Sequence, residues 1–83
     1  MSKKVERVQT GMRLERGLVK VLKGLAEYLD LSLGDLVEGI ALHALDGKAP
    51  FSGETLKKIE QIREVYGFDL RAGDSHTLTE GEG

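Results

Sequence analysis

One run in this chain alternates with a period of two, and it stands alone. From Arg7 to Leu14, Val8, Thr10, Met12 and Leu14 alternate with Arg7, Gln9, Gly11 and Arg13. That pattern predicts a β-strand with one buried and one wet face. Val5, Val8 and Met12 also fall at helical spacing, but Thr10 favours strands and Gly11 weakens helices. Everything after Glu15 reads as helix or loop. A lone strand cannot pair its backbone N–H and C=O groups within its own chain. The expected solution is a second copy of the chain, giving a two-stranded antiparallel ribbon. Gln9, Gly11 and Arg13 would then repeat on its outer face, and a ribbon of that kind fits the DNA major groove.

Size bears on the same point. Eighty-three residues are expected to form one domain, and so short a chain is marginal as a monomer. With two Phe, two Tyr and no Trp, the core must come from Leu, Val, Ile and Ala. The absence of Cys excludes disulfides, thiolate metal sites and Cys nucleophiles, and is compatible with a cytoplasmic location. No apolar run reaches membrane-spanning length and no signal-peptide core is visible, so no membrane association is expected.

The net charge of −2 conceals an asymmetry. Residues 1–23 carry seven Lys and Arg against two Glu, a balance of +5, and residues 24–83 have a balance of −7. The basic part coincides with the expected strand, which turns attention to polyanions.

Three helices are expected beyond the strand. Leu18, Val21, Leu22, Leu25, Ala26, Tyr28 and Leu29 form a broad stripe from about Arg16 to Leu29, and Asp30 tolerates the left-handed conformation that ends helices. Ser32 is a good N-cap for a second helix carrying Leu33, Leu36, Val37, Ile40, Ala41, Ala44 and Leu45, terminated by Gly47. Its apolar sector is too wide for one partner helix, so burial against a second subunit is expected. Ser52 caps a third helix with Leu56, Ile59, Ile62 and Tyr66, ended by Gly67, and Phe51 is placed to staple its start. The expected organisation is a flexible basic arm (1–6), a dimerisation and DNA-binding unit (7–47), a linker and third helix (48–67), and a mobile acidic tail (68–83).

The order strand, helix, helix from Arg7 to Leu45 resembles the ribbon-helix-helix family of DNA-binding proteins. The residues that carry the resemblance are Met12-Arg13-Leu14, then Leu18, Leu22, Leu25 and Ala26, then Leu31-Ser32 followed by Asp35-Leu36-Val37. The resemblance implies a mostly α, homodimeric fold with one paired strand per subunit. It implies base reading by Gln9, Gly11 and Arg13, of which Arg suits guanine and Gln adenine while Gly11 has no side chain to read with. It also implies phosphate binding at the start of the second helix, Ser32, Leu33 and Gly34, where free N–H groups favour an anion. Gly34 stands where the family often has Ser or Thr, and Asp30 where it often has Gly. Lys3, Lys4 and Arg7 would add backbone contacts that raise affinity without specifying sequence.

The functional expectation is a homodimeric, sequence-specific DNA-binding protein that represses transcription by occlusion, with no cofactor. Higher oligomers on DNA are compatible with it. Two alternatives are an antitoxin whose residues 48–83 wrap a protein partner, and a dimeric interaction module without DNA binding. Catalysis is not expected: Asp74-Ser75-His76 has the letters of a triad, but neighbours in a tail cannot be preorganised as nucleophile and base. His43 and His76 are too few and too far apart for a metal site. His43 reads as a structural residue at the edge of the packed face.

Overall fold

Helix α1 (Arg16–Leu29) is the centre of the molecule, with α2 (Leu33–Leu45) and α3 (Gly53–Tyr66) packed against it. The computed structural model describes residues 3–81, and the expected arm and tail extend beyond these limits at residues 1–2 and 82–83. α1 takes the central place because its apolar residues cover more than one face. Val21, Leu25 and Ala26 are buried, and Leu25 and Ala26 cluster with the buried Leu36 of α2. Leu22, Leu29, Ile40, Phe51, Ile59 and Ile62 pack partly buried around this cluster. Gly24 lets α3 approach closely: a Cβ there would lie 3.3 Å from Ile62 Cγ2.

The helix ends follow their capping residues. α1 starts at Glu15, whose carboxylate accepts the Leu18 N–H at 2.8 Å. It stops at Asp30, which adopts φ 58°. The Leu31 N–H then donates to the Ala26 carbonyl at 2.9 Å, closing the turn. Ser32 Oγ accepts the Asp35 N–H at 3.0 Å to open α2. Ser52 Oγ accepts the Thr55 N–H at 3.3 Å to open α3. Gly47 and Gly67 both have positive φ just past the ends of α2 and α3.

The expected strand is not formed. Arg7–Leu14 has no regular secondary structure, and among the described residues there is no strand or sheet. The ribbon-helix-helix architecture is therefore corrected to an all-helical, three-helix fold preceded by an irregular arm. The physical reason lies in the ladder. A strand needs another strand to take its N–H and C=O groups, and every other long segment of this chain spends those groups within its own helix. The arm does not coil into a helix either, so the rival spacing of Val5, Val8 and Met12 is also unrealised.

Residues 68–74, assigned by sequence to a mobile tail, lie along α3. The Arg63 guanidinium donates to the Leu70 carbonyl at 2.7 Å and sits 4.8 Å from the centre of the Phe68 ring. Arg71 pairs with Glu60 at 2.8 Å, and a short 3-10 turn follows over Ala72–Asp74. No helix among the described residues is long and apolar enough to cross a membrane.

Candidate nucleic-acid interface

The arm and the start of α2 form the two banks of an open groove of about 1360 Å³. Residues 6–14 line it from the arm, residues 32–35, Val37, Glu38 and Ala41 line it from α2, and Val19 and Lys23 of α1 contribute as well. Seven of the nine residues expected to read bases or bind phosphate therefore line one concavity: Arg7, Gln9, Gly11 and Arg13 before α1, and Ser32, Leu33 and Gly34 at the start of α2. Lys3 and Lys4 are exposed just N-terminal to the residues that line the groove.

Each bank has its own chemistry. Ser32 uses its hydroxyl as the cap for Asp35, so its side chain is already engaged. The first N–H groups of α2, those of Leu33 and Gly34, have no partner within the helix and carry the positive end of its dipole. A Cβ at Gly34 would meet nothing within 4 Å, so the approach to this helix end is unobstructed. Gly11 is equally open.

The arginines of the arm are not idle. Arg7 Nε and Nη2 donate to the two carboxylate oxygens of Glu38, each at 3.0 Å. This hydrogen-bonded pair holds the Glu38 carboxyl below its usual range and raises Arg7 above its own. Arg13 Nη2 lies 2.7 Å from Glu80 Oε1. Both pairs are largely exposed, with side-chain exposures of 63% and 48% for the first and 85% and 72% for the second. Pairs of this kind contribute little to stability. They decide instead what the cations face before a ligand arrives.

Sequence reasoning missed three participants. Glu38 and Glu80 each meet an arginine far away in the chain, so no local spacing could have indicated either. Lys23 enters the sequence reading only as part of the basic front half, and its place in the groove lining depends on the tertiary packing of α1. His43 is exposed on α2, with Nδ1 2.7 Å from the Gly39 carbonyl, so it touches its own helix rather than a ligand cluster. Among the described residues no group of three or more His, Asp or Glu is placed to hold a metal ion. No family model, curated protein or solved structure matches this chain.

Proposed function

We propose that the protein is a homodimeric DNA-binding protein that reads duplex DNA through its basic arm and anchors a phosphate at the start of α2, repressing transcription by occlusion. The supporting observation is the groove itself, whose lining includes Arg7, Gln9 and Arg13 together with Leu33 and Gly34 at the start of α2, where free helix N–H groups favour an anion. Phosphate contacts fix position on the duplex, and side chains such as Gln9 and Arg13 supply sequence preference. The arm is irregular, so it can follow a groove it does not have to match in advance. The reading places the protein in the cytoplasm and requires no catalytic step.

Dimerisation is proposed on surface grounds. The molecule exposes 7361 Å². A compact monomer of 9.1 kDa exposes about 4900 Å². Its radius of gyration is 14.1 Å, against about 12 Å for a compact chain of this length. Leu42 and Leu45 of α2 stand in solvent, as do Val8 and Met12 of the arm. A second copy seated on Leu42 and Leu45 would cover apolar surface that the single chain leaves in water.

The test is a fluorescence titration of duplex DNA at several salt concentrations, using the DNA upstream of the protein's own coding sequence and a random duplex. Binding should weaken with a slope near −0.9 per phosphate contacted. Arg13→Ala should lower affinity for the preferred duplex by about 1–3 kcal/mol, whereas Lys4→Ala should weaken all duplexes alike. Failure to bind any duplex at low salt overturns the proposal.

A further inference from the structure

We propose that the acidic C-terminal segment is a built-in competitor that occupies Arg13 until DNA displaces it. This inference rests on the DNA-binding reading and adds a form of regulation to the same site. The Glu80 carboxylate lies 2.7 Å from Arg13 Nη2, and Leu78–Gly81 lines a cleft together with Arg13–Arg16. A carboxylate on a guanidinium occupies the same donors that a phosphate or a guanine edge would take.

The segment is delivered to the arm by an anchored stem. Arg71 bridges to Glu60, its backbone N–H donates to Asp74 Oδ2 at 2.8 Å, and Arg63 holds the Leu70 carbonyl. The Phe68 ring rests against Gly17 at the start of α1, where a Cβ would come 3.0 Å from Phe68 Cδ1. Asp74 is thus tied down, and six residues carry the chain from it to Glu80, a reach of at most about 20 Å. A carboxylate on so short a tether acts at an effective concentration in the millimolar range. Glu38 treats Arg7 in the same way from α2, so both arm arginines meet a carboxylate in the free protein. The pairs are exposed and individually weak, which suits a competitor that a polyanion must be able to remove.

The experiment uses the full chain. Because it contains no Cys, Gly81→Cys supplies a single thiol for a nitroxide label, and broadening of the amide signals of residues 9–13 reports the segment on the arm. Broadening in the free protein that disappears on Glu80→Gln or on adding duplex is the expected result. In parallel, Glu80→Gln should raise affinity for the duplex about two- to fivefold. Glu64→Gln, an equal change of charge on the exposed surface of α3, should leave affinity unchanged. In the Arg13→Ala background Glu80→Gln should have no further effect. Absence of broadening in the free protein, or equal gains from Glu80→Gln and Glu64→Gln, overturns the inference while leaving DNA binding intact. Broadening without duplex binding by any variant overturns the DNA-binding reading and the inference with it.

Discussion

Asp30 occupies a backbone region that an L-residue enters at a cost. Its φ of 58° and ψ of 43° end α1, and its N–H reaches the Ala26 and Glu27 carbonyls. Glycine adopts this conformation without a Cβ penalty. Asp30→Gly should therefore stabilise the fold by about 0.5–1 kcal/mol, measured as a higher midpoint in urea; a lower midpoint would refute the argument. Glu15 shows a different economy at the other end of the same helix. Its side chain is not the commonest cap, yet the Gly17 and Leu18 N–H groups hold its carboxyl below the ordinary range. Ser32 and Ser52 cap in the familiar way, and Ser32→Ala should cost about 1 kcal/mol of stability, read from the same denaturation curve.

The arm is joined to α2 by Arg7 and Glu38, and the pH behaviour of that join follows from the sign of the shift. Glu38 is depressed in the folded state, so its contribution is present at neutral pH and is lost as the pH falls through its folded value. The arm should come away from α2 only as the pH falls below the ordinary carboxylate range, while the helices persist. NMR signals of the Arg7 Nε–H and the Glu38 amide would report this, and release near pH 6 would contradict it. Much of the helical part was legible in the sequence because it depends on local signals. Ser32, Ser52 and the glycines after α2 and α3 mark the ends of their helices where the structure has them, and the Leu18–Leu29 stripe marks α1. The arm was misread for the opposite reason. Alternation from Val8 to Leu14 describes which way side chains point if the backbone is extended, but a strand also needs partner peptides, which the chain itself lacks. The groove was half legible: the residues of each bank follow from the chain, but Glu38 and Glu80 come from contacts across 31 and 67 positions.

For the molecule as a whole, four buried residues among those described, 3–81, are a thin core. The apolar end of α2 is the place where a proposed second copy has most to cover: Leu42 is 65% exposed and Leu45 86%. The double substitution Leu42→Asp and Leu45→Asp should shift the sedimentation coefficient from that of a dimer to that of a monomer and lower the melting temperature. A chain that sediments as a monomer before the substitution, with an unchanged melting temperature after it, would remove the dimer from the account.

That surplus of bare surface ties foldedness to abundance. If association supplies much of the missing burial, thinning the solution acts like a mild denaturant, and the melting temperature climbs with protein concentration. Copy number in the cell then governs not merely how often such a molecule meets its target but how much of it holds a native shape at all.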